Sequence, residues 1–218
     1  MRELRDEQTG MVWLSCERLC IADNYMLFNK QDDREVSKLL KEIDSWKHDS
    51  IFDYITDQPL GQFFKDNTVL NEELYFGYDK GKLASIIQMT GGNELKNKHI
   101  FRSYINECLY NKTEDRPDYI KLSDAIVAEE NDNYNNANMY YVITNPRMQG
   151  RGIGTRAIMS VNHNLDFFAG EDIKHNTVNA IVHSSNVASQ IIFERNGYKK
   201  LPVEDGNAFD ELYYVVER

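Results

Sequence analysis

Two stretches of this chain combine residue types that can do chemistry. In "NPRMQGRGIGT", Asn145 to Thr155, Gly150, Gly152 and Gly154 stand at every second position among Arg147, Arg151 and Arg156. Glycine reaches backbone conformations closed to other residues and lets a ligand come up to the amides. Two readings follow: the backbone wraps an anion, with the arginines adding side-chain charge, or the glycines make a plain tight turn. The second stretch is "NVASQIIFERNGY", Asn186 to Tyr198. Its pattern predicts a short helix begun by Asn186 as N-cap and closed by Gly197.

Familiar phosphate loops do not fit the first stretch. A Walker A loop needs a lysine after its glycines, and none follows here. A dinucleotide fingerprint needs G-x-G-x-x-G, and Gly154 comes one place early. The five histidines form no HExxH or His/Cys grouping, so no metal site is expected. The three cysteines, Cys16, Cys20 and Cys108, are odd in number and lack redox or zinc spacing.

The elements that must position these residues are legible mainly in the C-terminal half. "MYYVIT" (139–144) reads as a strand ended by Asn145-Pro146. Ile153, Ala157, Ile158, Val161 and Leu165 recur at helical spacing, so the glycine stretch opens a helix. A strand feeding such a turn presents free amides, and the aligned peptide dipoles add roughly half a positive charge there. "TVNAIVH" (177–183) and "ELYYVVE" (211–217) are further strands, giving an α/β pattern.

Earlier in the chain, "ELYFGYDKGKLASIIQM" reads as a β-hairpin turning at 79–82. Residues 1–72 are expected to be a variable, helical N-terminal part. Within it Val36, Leu39, Leu40 and Ile43 share one helical face, and a second helix is expected over Ile51–Ile55, resuming through Gly61–Lys65. The stretch 91–138 reads as an insertion or loop, with "IFRSYINECLY" as a candidate helix and "NDNYNNAN" too polar and turn-prone for a core element. Trp13 and Trp46 are expected as core or interface anchors, and Tyr140-Tyr141 as a strand pair facing opposite ways.

The composition bounds the function class. The chain has 218 residues, 41% hydrophobic and 28% charged, enough for one domain with a sizeable core. No apolar run reaches membrane-span length and the charged start is not a secretory signal, so the cytoplasm is the expected compartment. A formal charge of −10 argues against a nucleic-acid surface and favours cationic partners such as amines.

"QGRGIG", Gln149 to Gly154, resembles the [QR]-x-x-G-x-[GA] signature of the GNAT N-acetyltransferase superfamily. About thirty residues on, Asn186, Ala188, Glu194, Arg195, Gly197 and Tyr198 match its second element, in the same order and spacing. The resemblance is clear over about 139–217, fair over the hairpin at 73–90, and thin elsewhere. It implies an α/β (α+β) GNAT fold: a mixed, mostly antiparallel sheet flanked by helices, with two parallel strands that splay to admit acetyl-coenzyme A. It implies one domain over 1–218 with its acetyl-coenzyme A-binding core at 139–217. The pyrophosphate would sit on the amides of Gln149, Gly150, Arg151, Gly152, Ile153, Gly154 and Thr155. The pantetheine arm would pair with the backbone of Val142, Ile143 and Thr144, and Asn186, Phe193 and the face of the last helix would line its other side.

Acetyl transfer to an amine requires the amine neutral, and an alkylamine with a pKa of about 10.4 is almost wholly protonated at pH 7. A base must therefore take a proton. His183, at the end of the second splayed strand, is the candidate, since imidazole works near neutral pH; the alternative is a histidine that caps the next loop or packs at a strand end. Glu130, with Glu129, precedes the first splayed strand and is a second candidate, or else solvated loop charge. The tetrahedral oxyanion would be held by backbone amides of the splayed strand. The usual acid of the family is a tyrosine at the position that here is Phe193. Ser189, Tyr198 or water would have to replace it, or the thiolate leaves unaided.

The resemblance thus implies an acetyl-coenzyme A-dependent N-acetyltransferase acting on a small-molecule or peptide amine, with no metal, no nucleic acid and no membrane partner. A homodimer through the final strand is compatible with it. The alternatives are a non-catalytic acyl-coenzyme A sensor and a purely structural role.

Overall fold

The computed structural model describes residues 2–16, 19–21, 25–27, 38–46, 72–90, 135–169, 175–200 and 211–217. Expected features at 51–65, "IFRSYINECLY", Glu129, Glu130 and Cys108 lie outside them. The chain divides into two compact units, one of Met1–Thr90 with Tyr140–Asn164, the other of Gly91–Met139 with Leu165–Arg218.

The first unit begins with strands. β1 (Arg2–Asp6) and β2 (Met11–Cys16) form an antiparallel hairpin with Asp6 opposite Met11. This corrects the helical reading of 1–72 for its first residues. The reason is a period of two: Met11, Trp13 and Ser15 are buried while Val12 and Leu14 are half-buried, which suits a strand covered on both faces. A small hairpin follows, β3 (Leu19–Ile21) with β4 (Tyr25–Leu27). A helix, α1 (38–44), then appears where the apolar spacing places one.

β5 (Glu72–Asp79) pairs with β2 and, through a turn at Lys80-Gly81, with β6 (Lys82–Thr90). Both turn residues have positive φ, 50° and 76°, the geometry that matches the twist of a two-residue hairpin. Leu40, Ile43 and Trp46 of the α1 region pack with Leu74, Phe76, Leu83, Ile86 and Ile143 in one buried cluster. Each such side chain contributes roughly 1.5–3 kcal/mol when fully buried. Tyr75 and Gly77 alternate with Leu74 and Phe76, and a Cβ at Gly77 would lie 2.6 Å from the Trp13 ring. Both tryptophans are therefore core residues, at 0% and 5% exposure.

β7 (Asn135–Thr144) runs through both units. It starts four residues earlier than the sequence pattern suggests, so the loop reading of 91–138 fails for Asn135–Asn138. Pairing explains this: these residues, three of them asparagines, run parallel to β8 (His175–His183), from Asn135↔His175 to Met139↔Ala180, so their backbone groups are satisfied in a ladder. In the first unit β7 lies beside β6, where the Ser85 hydroxyl donates to the Ile143 carbonyl at 2.9 Å. Tyr141 packs against the α1 cluster, as one of the tyrosine pair should.

In the second unit β8 pairs antiparallel with β10 (Glu211–Glu217), which also carries the short β9 (Lys199–Lys200). The remaining helices are α2 (Ile153–His163) in the first unit, packed on β2 and β6, and α3 (Leu165–Ala169) and α4 (Val187–Arg195) in the second. Asn164, at φ −128° and ψ 43°, breaks the expected continuous helix between Val161 and Leu165.

Candidate anion and coenzyme site

The end of β7 is fastened by one residue that sequence reasoning treated only as a strand stop. The Asn145 amide donates to the Ala84 carbonyl (2.8 Å) and its Nδ2 to the Leu83 carbonyl (3.0 Å), while Oδ1 accepts from the Arg147 amide (3.0 Å). β6 can offer both carbonyls because its ladder with β5 shifts register between Gly77 and Tyr78. Pro146–Met148 then forms a 3-10 turn capped by Asn145, with buried Met148 as its apolar anchor.

This turn uses the amides of Arg147, Met148 and Gln149, the last donating to the Pro146 carbonyl at 3.3 Å. From Gly150 to Thr155 the pattern changes. None of these six successive amides has a hydrogen-bond acceptor among the described residues, and the first helical bond is from Arg156 to the Gly152 carbonyl, 3.0 Å. Every helix start leaves some amides unpaired, but a side chain usually caps one of them. Here the N-cap is Gly152, at φ 69° and ψ 18°, which has no side chain to offer. α4 in the same chain shows the ordinary solution, with Asn186 Oδ1 accepting from the Ser189 amide at 3.1 Å. The expected cradle of Gln149–Thr155 thus loses Gln149, whose amide is already spent.

The arginines divide. Arg147 and Arg151 are exposed beside the bare amides. Arg156, expected to serve the same anion, turns away from it. Its Nη1 donates to Asp79 Oδ1 at 2.9 Å and to the Thr9 carbonyl at 3.1 Å. One helical turn later, the buried Ser160 hydroxyl donates to Asp6 Oδ2 at 2.6 Å, and the Thr9 hydroxyl donates to the same oxygen at 2.7 Å. The hydrogen bond from Arg156 holds the Asp79 carboxyl below the usual range against the opposing effect of burial, and the charges of Arg156, Lys80 and Arg151 add to it. Burial alone would raise Asp6, but the hydroxyls of Ser160 and Thr9 and the amides of Thr9 and Gln8 outweigh it and keep Asp6 low as well. Sequence spacing showed neither contact, since Asp6 and Asp79 lie 154 and 77 positions from their partners.

On β7, the Ile143 side chain enters the core at 4% exposure, and Val142 and Thr144 are half-buried. In the second unit, His183 ends β8. Its Nδ1 lies 2.7 Å from Ser185 Oγ and accepts from the Ser185 amide at 3.2 Å. An amide can only donate, so Nδ1 carries the lone pair and Nε2 the proton of the neutral ring. Ser185 is a residue the sequence reading passed over.

α4 ends in a Schellman motif: the Tyr198 amide donates to the Phe193 carbonyl (3.1 Å) and the Gly197 amide to the Glu194 carbonyl (3.1 Å). Phe193 also supplies the apolar contact of that motif. Its ring is edge-on to Tyr198 at 4.9 Å and stacked near Tyr214 at 5.8 Å. At 5% exposure, little of it is left for a ligand, and Tyr198, at 3%, is equally enclosed. Elsewhere this unit exposes Ile181, Val187 and Ile191, the last two one turn apart on α4. Among the described residues, no group of three or more His, Cys, Asp or Glu side chains could hold a metal ion, and no helix is long and apolar enough to cross a membrane.

No protein-family model matches the chain, and no curated protein matches it in sequence. Solved structures do. The chain is similar to a domain from Methanocaldococcus jannaschii DSM 2661, at 12% identity over 94% of this chain and 98% of that one, with a TM-score of 0.50. An uncharacterized protein from Bacillus halodurans is 12% identical over 99% of this chain and 89% of that one, with a TM-score of 0.58. A protein described as a "Probable acetyltransferase" is 14% identical over 95% and 93%, at 0.51. At such identities the likeness speaks to fold alone, here the mixed α/β fold of acetyltransferases. Together with the parallel β7–β8 pair and the bare amides ahead of α2, it establishes that this chain has the GNAT fold.

Proposed function

We propose that this protein is an acetyl-coenzyme A-dependent N-acetyltransferase acting on a primary amine of a small molecule or peptide. The observation that carries the reading is the run of six amides, Gly150–Thr155, without acceptors among the described residues at an uncapped helix start. Such a run is suited to phosphate oxygens. Among the described residues, a Cβ at Gly150 or Gly152 would meet nothing within 4 Å, which leaves room over the amides for a ligand. Arg147 and Arg151 would add charge at its rim.

Acetyl-coenzyme A, when bound, supplies an activated acetyl group as a thioester. The chain's own part is to hold it, to hold the amine, and to move a proton. His183 would take the amine's proton at Nδ1, its lone-pair nitrogen; because Ser185 Oγ stands on that atom, the proton would pass through the serine hydroxyl. Glu130 is kept as the second candidate base. No tyrosine stands at 193 to protonate the leaving sulfur, but a thiol of pKa about 8.5 leaves tolerably as thiolate. A net charge of −10 favours a cationic acceptor, and a cytoplasmic setting is in keeping with the acetyl donor.

Phe193 also favours a second reading, an acyl-coenzyme A sensor without turnover. One experiment separates the cases. Thermal melting with acetyl-coenzyme A, coenzyme A and ATP should give a rise with both coenzymes and none with ATP. Thiol release on a panel of amines then distinguishes enzyme from sensor. No shift with either coenzyme would overturn both readings.

A further inference from the structure

The amides of Gly150–Thr155 form a useful surface only while α2 is held at a fixed height and rotation. Glycine at 150 and 152 makes the loop before the helix compliant, so the loop does not supply that rigidity. It must come from the body of α2. Two side chains one turn apart, Arg156 and Ser160, provide polar fastenings. Arg156 Nη1 bridges Asp79 at the β5–β6 turn and the Thr9 carbonyl in the β1–β2 turn. Ser160 joins Thr9 and Asp6, with Ser160 Oγ 2.8 Å from Thr9 Oγ1. Thr9 belongs to both fastenings. The groups are enclosed: Asp6 is 5% exposed, Thr9 6%, Asp79 8% and Ser160 0%. Directional bonds in such a place fix rotation about the helix axis, which apolar packing of Ile153, Ala157 and Ile158 alone does not.

We propose that Arg156 and Ser160, latched onto Asp79, Thr9 and Asp6, are positioning residues that set the amide cradle at the start of α2. The inference rests on the coenzyme A reading above. Arg156 follows the cradle directly, and its own charge is spent on Asp79 rather than on the ligand. The anion is therefore bound by the amides and the exposed arginines, and Arg156 acts through the placement of the helix.

The test compares wild type, Arg156→Gln, Arg156→Lys, Asp79→Asn and Ser160→Ala for coenzyme A affinity by calorimetry, acetyl-coenzyme A kinetics and melting temperature. Binding is read well below each melting point. Arg156→Gln should weaken coenzyme A binding and raise KM about ten-fold or more, with kcat changed by less than about three-fold. Arg156→Lys should recover part of the loss, since it keeps the pair with Asp79 but not the bridge. Asp79→Asn and Ser160→Ala should shift affinity in the same direction by less, and they carry the test if Arg156→Gln does not fold. Lower melting temperatures with coenzyme A affinity within about two-fold of wild type would make these contacts merely structural and overturn the proposal. A fall in kcat at unchanged KM would overturn it too. Failure of the wild type to bind coenzyme A would instead sink the functional reading itself, and the first titration reveals it.

Discussion

Replacing Gly152 tests the cradle most directly, because the structure separates its effect on folding from its effect on a ligand. Its φ of 69° costs an ordinary L-residue about 1–2 kcal/mol. Alanine recovers roughly 0.4–1 kcal/mol of this by restricting the unfolded chain. A Cβ there meets nothing within 4 Å among the described residues, so no packing penalty is added. The net loss for Gly152→Ala is about 1 kcal/mol, a fall in melting temperature of about 2–4 °C for a chain of this size. Asparagine tolerates the left-handed region, so Gly152→Asn should melt closer to wild type. Both side chains, however, would stand in the space an anion needs. Losing one charge-assisted hydrogen bond of about 1.5–3 kcal/mol weakens binding roughly 10- to 150-fold. The assay is calorimetric titration with coenzyme A at 25 °C alongside melting of the same samples. A Gly152→Asn protein that binds coenzyme A like wild type would refute the reasoning and return the glycines to a turn.

Other consequences concern stability, pH and proton transfer. Gly77→Ala drives a methyl to 2.6 Å from Trp13 Cη2 and Cζ3, so it should cost about 1–3 kcal/mol in denaturant melts while leaving coenzyme A affinity unchanged. Asp79 and Asp6 both have folded pKa values below the ordinary carboxylate, so their stabilisation is complete above about pH 4 and disappears as pH falls through the folded values. The double variant Asp6→Asn/Asp79→Asn should flatten this acid limb, and an unchanged limb would contradict it. Tyr214 is pushed up to about 12, first by burial and then by Glu194, to which its hydroxyl donates at 3.3 Å. The folded state therefore holds this proton more tightly, and roughly 2–3 kcal/mol of stability should be lost as pH rises from 10 towards 12; Tyr214→Phe should remove that slope. If His183 receives its proton through Ser185, Ser185→Ala should lower kcat by about ten-fold or more, with little further loss when His183→Asn is added. Additive losses would show that the two act separately.

The C-terminal elements were legible because local signals there agree with tertiary packing. Asn186 caps α4 and Gly197 ends it, at φ 84°, through bonds that span a few residues, and a pattern of a few residues is what a sequence displays. The hairpin turn at Lys80-Gly81 was visible for the same reason. β1, β2 and the start of β7 were not. β1 reads as charge, and Asn135–Asn138 read as turn formers, until a neighbouring strand accepts their backbone groups. Ser185 escaped notice since its significance is a contact with His183, and nothing in its type marks it.

By itself the sequence determined that a glycine-broken stretch opens a helix between two strands, and that no capping side chain stands at Gly152. Those are properties of residue type and neighbouring position. Only the tertiary structure decided which polar groups are spent and which are left. Gln149's amide goes to its own turn and Arg156's charge goes to Asp79, while among the described residues the six amides of Gly150–Thr155 and the exposed Arg147 and Arg151 remain. The reason is physical: whether a donor can serve a ligand depends on whether an acceptor within about 3 Å already holds it, and for Arg156 the two acceptors lie 77 and 147 positions away in the chain.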